Sequence, residues 1–296
     1  MKNWDQYTKG FRSYLKIERS LSQNTVENYL RDVEKLHGCH PHASPLELTE
    51  TNIRDFIYQL HDIGLSATSQ NRILSGIKAF YKFLMLEDYI QNDPTHLFES
   101  ARTERKFPET LSNEEIELLI GAIDLSKPEG ERNKAIIETL YGCGLRVSEL
   151  VGLRISDLHL NEGFIRVIGK GDKQRLVPIG AAAIKQINIY KNEVRVHQTP
   201  KPESRDILFL NRNGKQLTRV MIFTIIKRLA VAANIQKNIS PHTLRHSFAT
   251  ELVQRGADLR AVQEMLGHES ITTTEIYTHI EKQDLRDAII QFHPRS

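Results

Sequence analysis

The sequence predicts a mostly helical protein with two domains, the second of which contains a small antiparallel sheet. Apolar residues recur at helical spacing through the first hundred or so of its 296 residues. Asp93-Pro94 breaks this pattern, and the charged stretch that follows has little apolar periodicity. Apolar runs of period two appear in residues 164–179. We therefore expect a helical domain over residues 1–100, a linker over 101–108 and a larger domain over 109–296.

Four helices are predicted in the first domain, and each carries an apolar stripe along one face. Ser22 stands just before the second helix, where its hydroxyl can accept a hydrogen bond from a free backbone N–H. The four helices run from about Trp4 to Ile17, from after Ser22 to Gly38, from near Thr49 to Gly64 and from about Ser66 to Leu86.

Helices, a hairpin and one further strand are predicted in the second domain. Ser112 and Glu115 form a capping-box pattern at the start of its first helix. Residues 164–168 and 175–179 are β-type runs around a polar turn, so we expect a hairpin with Lys170 at its tip. The other predicted elements are helices over about 129–141, 180–196 and 218–233, a strand over 207–210, and four helices that begin near Ser240, Asp258, Ser270 and Asp284.

The composition excludes several classes of protein. No apolar segment is long enough to span a membrane or to serve as a secretory signal, so we expect a cytoplasmic protein without a membrane partner. Cys39 and Cys143 are far apart, which excludes a disulfide framework and a paired Cys-x-x-Cys metal site. The cluster from His37 to His42 matches no tetrahedral ligand spacing. We therefore predict neither a metal nor another cofactor.

Five residues have the chemistry that phosphoryl transfer requires: Arg146, His242, Arg245, His268 and Tyr277. Guanidinium groups make bidentate contacts with phosphate oxygens, and these contacts strengthen as negative charge develops. A tyrosine hydroxyl can act as the nucleophile. Taken singly, each residue has an ordinary alternative, such as a surface ion pair for Arg245 or a place in the core for Tyr277. The combination indicates attack of a tyrosine on a phosphodiester.

The order and spacing of these residues resemble those of the tyrosine site-specific recombinases. The matching segments are Gly-Leu-Arg146-Val-Ser-Glu149-Leu, the hairpin lysine Lys170, His242-Thr-Leu-Arg245-His-Ser-Phe-Ala-Thr, Leu266-Gly-His268, and Tyr277 nine residues later. The chain's length, the run Val-Ile-Gly-Lys-Gly-Asp-Lys-Gln-Arg-Leu-Val-Pro and the ending His-Pro-Arg are similar to the bacterial Xer recombinases, with the D type favoured over the C type. The resemblance covers nearly the whole chain and is strongest over residues 140–280.

The resemblance implies a four-helix, SAM-like core-binding domain followed by the catalytic fold of this family. Tyr277 would attack the scissile phosphate, form a 3′-phosphotyrosyl bond and release a 5′-hydroxyl. Arg146 and Arg245 would hold the non-bridging oxygens, with His268 as a third donor. Because one phosphoester replaces another, the strand transfer would need no ATP, and the resemblance also implies a reaction without a metal.

Proton transfer and orientation would fall to three further residues. Lys170 would protonate the leaving 5′-oxygen, although an exposed turn lysine is the ordinary alternative. His242 would take the tyrosine proton, unless the surrounding cations ease the ionisation of the phenol directly. Glu149 would orient the arginines, and its alternative is a surface glutamate.

Polar side chains on the second and fourth helices and beside the hairpin are candidates for DNA binding, because they can reach bases and phosphates. A solvated helix face is the alternative on the two helices. The candidate DNA contacts are Asn24, Thr25, Asn28, Arg31, Asn71, Arg72, Lys78, Lys173 and Arg175.

The resemblance also implies partners and a cellular role. These are a duplex DNA recombination site, a sister recombinase in a tetrameric synapse, and a septal DNA translocase that regulates the resolution of chromosome dimers at cell division. The last segment, with Ile289, Ile290 and Phe292, could pack on a neighbouring protomer or on its own domain. A mobile-element integrase, a type IB topoisomerase and a DNA-binding protein that does not cleave remain alternatives.

Overall fold

The computed structural model describes residues 4–99, 101, 109–169, 173–267 and 279–296, with backbone alone for residues 279–283. The chain divides into two compact units, Met1–Lys106 and Phe107–Ser296. The described residues are mostly helical with one small antiparallel sheet, so the predicted fold class is confirmed. No helix within these ranges is both long and apolar enough to cross a bilayer.

The first unit contains four helices, which lie close to the predicted positions: α1 (Trp4–Ile17), α2 (Gln23–Cys39), α3 (Glu50–Asp62) and α4 (Ala67–Leu86). Ser22 and Ser66 cap α2 and α4 by accepting hydrogen bonds from backbone N–H groups. The apolar stripes meet in one core that includes Phe11, Val26 and Phe80, all fully buried. Burial of each such side chain stabilises the fold by about 1.5–3 kcal/mol.

The second unit contains eight helices within the described residues. They are α5 (Asn113–Gly121), α6 (Gly130–Gly142), α7 (Val147–Val151), α8 (Ala181–Ile189), α9 (Arg219–Ala232), α10 (Pro241–Gln254), α11 (Leu259–Leu266) and α12 (His279–Phe292). Helix α6 is buried from Ala135 to Gly142 and packs against α8 and α10, so it forms the centre of this unit's core.

The sheet has three antiparallel strands in the order β1 (Leu158–His159), β2 (Phe164–Ile168) and β3 (Gln174–Pro178). The predicted hairpin is present as β2 and β3, whose register pairs Phe164 with Pro178 and Ile168 with Gln174. The short strand β1 was not predicted from the sequence. Its two residues give too short a run for an alternating pattern to be seen.

The predicted strand over residues 207–210 is wrong. This segment forms only isolated bridges, between Arg154 and Ile207 and between Leu210 and Gln216. The Arg195 guanidinium donates to the backbone carbonyls of Arg205, Ile207 and Leu208, which removes acceptors that a neighbouring strand would need. Arg195 follows a single π-helical turn at Tyr190–Val194, so the predicted helix over 180–196 is regular only to Ile189.

A tight turn after α6 sets the start of α7. Gly144 has a φ of +57°, in the left-handed region that glycine adopts without strain. A Cβ at this position would lie 2.4 Å from Cδ1 of Phe248 on α10. The sequence therefore needs glycine here both for the backbone angle and for the close approach of α10.

The C-terminal segment packs on its own unit in this structure. Leu285, Ala288 and Ile289 of α12 are buried against the core of the second unit. The ring of His293 lies between those of Tyr141 and Phe248, with centroid distances of 5.0 and 5.4 Å. In the single chain, α12 thus closes one side of the core of the second unit.

Candidate active site

Two arginines that are far apart in the sequence come together beside the turn at Gly144. Arg146 immediately precedes α7, with an extended backbone (φ −69°, ψ 147°) that leads into the helix. The Arg245 side chain on α10 is only 10% exposed. Its Nη1 donates to the Gly144 carbonyl at 2.6 Å and its Nη2 to the Leu266 carbonyl at 2.5 Å. Backbone carbonyls therefore fix the Arg245 guanidinium in place.

Glu149 is the acidic centre of this cluster, with a side chain that is 1% exposed. Its Oε1 accepts a hydrogen bond from Arg146 Nη1 at 2.9 Å, and its Oε2 accepts one from the Arg146 backbone N–H at 2.8 Å. Nη1 of Arg245 lies 4.0 Å from Oε2. Burial excludes the alternative of a surface glutamate, and these contacts place Glu149 where it can orient both arginines.

A third arginine joins the cluster from the sheet. The Arg175 side chain on β3 is 9% exposed, and its two terminal nitrogens donate to the two oxygens of Glu149 at 2.7 and 2.9 Å. Its Nε donates to the Met265 carbonyl at 3.0 Å. The sequence prediction made Arg175 a DNA contact, whereas its donors are directed into the protein. Its position two residues before the buried Val177, on the same face of the strand, was the available signal.

The three arginines hold the C-terminal end of α11. The carbonyls of Met265, Leu266 and Gly267 accept hydrogen bonds from Arg175, Arg245 and Arg146, respectively, the last at 3.0 Å. The final carbonyls of a helix lack helical partners and carry partial negative charge, so cations are favourable there. Gly267 ends the helix with a φ of +66°. His268 follows it directly in the chain.

The charges of the cluster shift the pKa values of its members in opposite directions. Burial acts to raise the pKa of Glu149, but hydrogen bonds and charge from Arg175 and Arg146 outweigh it and hold the pKa below its ordinary value of 4.5. Burial, together with the charges of Arg146 and Arg175, lowers the pKa of Arg245 to about 10. Glu149 is therefore ionised and Arg245 remains a cation at neutral pH.

The cluster suits a phosphodiester. Three guanidinium groups and one carboxylate leave two surplus positive charges among its described members. Arg146 and Arg245 each have five N–H donors, and hydrogen bonds to described residues occupy two on each. The remaining donors can bind phosphate oxygens, whose negative charge grows when a hydroxyl attacks phosphorus. Within the described ranges, no group of three or more His, Cys, Asp or Glu side chains is arranged to hold a metal.

Comparison with known proteins agrees with this chemistry. The sequence model of the Phage integrase family matches residues 109–284, which is more than half of the chain. The model of the Phage integrase N-terminal SAM-like domain matches residues 8–88. The chain belongs to the phage integrase family of tyrosine recombinases. It is thus an enzyme of the class that the sequence predicted.

Curated relatives and solved structures show which recombinases of the family this chain is similar to. It is 44% identical over 290 residues to tyrosine recombinase XerD of Oceanobacillus iheyensis, with 97% of each chain covered. It is 43% identical over 286 residues to tyrosine recombinase XerD of Staphylococcus aureus, with 96% of this chain and 97% of the relative covered. A crystal structure of XerH site-specific recombinase bound to difH substrate, in a pre-cleavage complex, is 28% identical with a TM-score of 0.67, covering 95% of this chain and 83% of that one. The predicted likeness to Xer recombinases of the D type is confirmed.

The remaining predicted catalytic residues of the recombinase divide into one that is described and three that are not. His242 is exposed in the first turn of α10, three residues before Arg245 on the same helix. Ser240 caps this helix by accepting from the Thr243 N–H at 3.2 Å, and Pro241 opens its first turn. Lys170, His268 and Tyr277 lie outside the described residues.

Several of the predicted DNA contacts are free to face solvent. Asn24, Asn28 and Arg31 are exposed on α2, and Lys173 is exposed just before β3. Arg31 makes a loose ion pair with Glu27, at 3.9 Å, and a phosphate could replace that exposed partner at little cost. Thr25 and Lys78 are half-buried.

Two predicted DNA contacts on α4 are instead bonded within the first unit. The amide of Asn71 donates to the Ala101 carbonyl and accepts from the Ala101 N–H, each at 2.8 Å, so it holds the chain where the predicted linker begins. The Arg72 guanidinium binds both oxygens of the fully buried Asp32, at 2.8 and 2.5 Å. Sequence reasoning missed both roles, because each partner lies thirty or forty residues away.

Proposed function

We propose that this recombinase cuts and rejoins duplex DNA at a specific site through a covalent bond between Tyr277 and a DNA 3′-phosphate. The tyrosine oxygen would bond to phosphorus while the bond to the 5′-oxygen breaks. A second DNA 5′-hydroxyl would later attack the phosphotyrosine and restore the strand. The number of phosphoester bonds stays the same throughout, so the strand transfer needs no external source of energy.

Arg146 and Arg245 would bind the two non-bridging oxygens of the scissile phosphate, with His268 as a third donor. Their remaining N–H groups and the surplus charge of the cluster suit this role. The Arg146 guanidinium is held by Glu149 and the Gly267 carbonyl, and the Arg245 guanidinium by the Gly144 and Leu266 carbonyls. Because the donors are already oriented, little reorganisation is required as charge develops on the phosphate.

Proton transfer would involve Lys170 and His242. A 5′-alkoxide is a poor leaving group near neutral pH, and Lys170 at the hairpin tip would supply its proton. The exposed His242, on the helix that also carries Arg245, would accept the proton of Tyr277. Glu149 would keep the arginines in position and would not exchange a proton, since its pKa is held below the ordinary value.

One observation carries this proposal: three arginines share one buried carboxylate at the end of α11, directly before the segment that contains His268 and Tyr277. A structural ion pair needs one arginine for one carboxylate. The surplus of two cations at a helix end favours an anionic ligand, and the family's chemistry makes that ligand a DNA phosphate.

The proposed cellular role is the resolution of chromosome dimers at cell division. Support comes from identity of 43–44% over nearly the whole chain to relatives named XerD. The recombinase would act in the cytoplasm, on a duplex recombination site, in a tetramer with a sister recombinase and under control of a septal DNA translocase. Exposed polar residues of α2, with Lys173, would contribute contacts to the DNA backbone and bases.

A nicked suicide duplex tests the chemistry directly. The target duplex is first selected by pull-down from fragmented genomic DNA and is then nicked beside the cleavage position, so that the 5′-hydroxyl fragment diffuses away. We expect a covalent protein–DNA adduct with the wild-type protein and none with Tyr277→Phe, measured by denaturing electrophoresis. Tyr141→Phe is the matched control, because Tyr141 lies buried in the core of the second unit.

The same assay separates the alternatives. Tight binding without an adduct in the wild type would identify a DNA-binding protein that does not cleave. An adduct formed by a monomer that relaxes supercoiled DNA, with no assembly of two duplexes, would identify a topoisomerase. Strand exchange only with DNA from a mobile element would favour an integrase over a chromosome-dimer resolvase.

A further inference from the structure

Arg175 has no assigned part in strand transfer, although it binds both Glu149, the shared carboxylate of the cluster, and the end of α11. It lies on β3, opposite Val167 of β2, and its side chain reaches both α7 and the end of α11. Two N–H groups bind the two oxygens of Glu149 and a third binds the Met265 carbonyl. Only a guanidinium group can make this forked contact and the third bond at the same time.

The surrounding backbone is shaped to admit this side chain. A Cβ at Gly267 would lie 3.1 Å from Cδ and Nε of Arg175, which is closer than an ordinary van der Waals contact. Gly267 also needs its positive φ of 66°. The glycine that ends α11 therefore serves both the turn of the chain and the approach of Arg175.

Arg175 also limits how many further hydrogen bonds the Glu149 oxygens can accept from the other arginines. Both carboxylate oxygens accept from Arg175, so each has limited remaining capacity. Among the described residues, Arg245 is the cluster's one arginine that is not hydrogen-bonded to Glu149, and its Nη1 lies 4.0 Å from Oε2. Without Arg175, Arg245 would move toward the carboxylate and away from the Gly144 carbonyl, which would redirect a group that the proposed function needs for phosphate.

We infer that Arg175 is a positioning residue for strand cleavage: it saturates Glu149 and fixes the end of α11, so that Arg146 and Arg245 keep donors for the scissile phosphate. This inference rests on the proposed function of the site. Arg175 acts through Glu149 and the Met265 carbonyl of α11, and it does not touch the DNA.

Single-turnover cleavage of the suicide duplex by Arg175→Met and Arg175→Lys tests the inference. We expect the cleavage rate to fall by about 10-fold to 100-fold in Arg175→Met, because displacement of catalytic groups by about 1 Å has effects of this size. Arg175→Lys keeps the charge and loses the fork, so its rate should also fall. The affinity for the same duplex, measured by fluorescence anisotropy, should remain close to wild type in both variants.

The salt dependence of binding separates positioning from DNA contact. Removal of one phosphate contact reduces the slope of log K against log salt by about 0.9. Lys173→Met, on the same hairpin but exposed, should show such a reduction. Arg175→Met should leave the slope unchanged, and a reduction like that of Lys173→Met would overturn the inference.

A double-mutant cycle tests whether Arg175 acts through Glu149. The effect of Arg175→Met on the cleavage rate should largely disappear in a Glu149→Gln background, because the two residues form one unit. Arg166→Met removes a different arginine–carboxylate pair of the sheet, with Asp157 at 2.7 Å, and should combine additively with Glu149→Gln. Additive effects of Arg175→Met and Glu149→Gln would contradict the inference.

Failure of the inference can be distinguished from failure of the proposed function. If wild-type protein forms no adduct with the suicide duplex, the proposed function fails. If wild-type protein forms the adduct and Arg175→Met forms it at the wild-type rate, only the inference fails. Should Arg175→Met not fold, Arg175→Lys and the Arg175→Met/Glu149→Gln pair, which removes the unpaired carboxylate, supply the same measurement.

Discussion

The two units of the chain each bury a carboxylate against arginine, and the comparison shows how a structural pair differs from a candidate active site. In the first unit, the fully buried Asp32 on α2 meets one arginine, Arg72 on α4, whose side chain is 46% exposed. In the second unit, the buried Glu149 meets Arg146 and Arg175 directly, with Arg245 4.0 Å away. One pair is neutral and the other cluster has two surplus cations.

Burial and neighbouring charge shift the pKa values of the two carboxylates in opposite directions. Burial raises the pKa of Asp32 above its ordinary value of 3.8, although hydrogen bonding and charge from Arg72 oppose the rise. The extra arginines around Glu149 overcome the same effect of burial. A cation beyond the number needed for neutrality is therefore the feature that separates the second site from an ordinary buried pair.

Replacement of the arginines that would hold the phosphate should have the largest effect on the rate of DNA cleavage. We expect Arg146→Ala and Arg245→Ala each to lower the rate of cleavage by about 10²-fold to 10³-fold, as for loss of one donor to a developing oxyanion. DNA affinity should change little, since many other contacts hold the backbone. Arg72→Ala is the counterpart in the first unit and should leave the rate of cleavage near wild type. Near-normal cleavage by Arg146→Ala would remove the basis of the comparison.

Neutralising each carboxylate should affect different properties. Glu149→Gln is expected to lower single-turnover cleavage by about 10²-fold through displacement of the arginines. Asp32→Asn should lower the free energy of unfolding by about 1–3 kcal/mol, because it replaces one of the two buried acceptors of Arg72 by an NH2 donor. The folded fraction of Asp32→Asn should still cleave DNA at close to the wild-type rate. Unfolding in denaturant and cleavage assays on the same samples would check both statements.

Replacement of Gly144, beside the arginine cluster, should reduce stability and cleavage more than replacement of Gly121 in the same unit. Gly144→Ala places a Cβ against Phe248 at a φ of +57°, so we expect a loss of about 1–3 kcal/mol in unfolding free energy and slower cleavage. Gly121→Ala is the matched control, since no described atom outside its own helix and chain neighbours would lie within 4 Å of the added Cβ. It lies in α5, where alanine is favoured over glycine by up to about 1 kcal/mol. Equal stabilities for the two variants would show that Gly144 is not required.

The smallest effect is expected in the dependence of stability on pH. Glu149 has a lowered pKa in the folded state, so its contribution is present above pH 4.5 and is lost as pH falls through the folded-state value. Asp32 has a raised pKa, so its ionisation destabilises the folded state as pH rises from 3.8 through the raised value. The stability difference between wild type and Glu149→Gln should therefore shrink below pH 4.5. The difference for Asp32→Asn should instead shrink as pH rises above 3.8, and parallel curves for the two variants would contradict this.

The elements of the fold were predicted more accurately than the contacts of the site. Ser22 and the apolar stripes placed the helices of the first unit within a few residues. Arg146 and Arg245 were recognised as partners from their chemistry and from family spacing. Arg175 and Arg72 were assigned to DNA, because an arginine in a polar stretch gives no indication of a carboxylate that it meets through folding. The contact of Asn71 with Ala101, thirty residues away, is likewise not indicated by the local sequence.

The sequence by itself determined the helices, the hairpin, the family and the chemical character of the site, because these depend on local periodicity, capping residues and side-chain types at fixed spacing. Only the tertiary structure decided that three arginines share Glu149 and hold the last carbonyls of α11. Hydrogen bonds and burial between residues up to 121 positions apart depend on how helices and strands pack, which no local pattern encodes. The charge balance that distinguishes this cluster from the Asp32 pair is therefore a property of the folded chain.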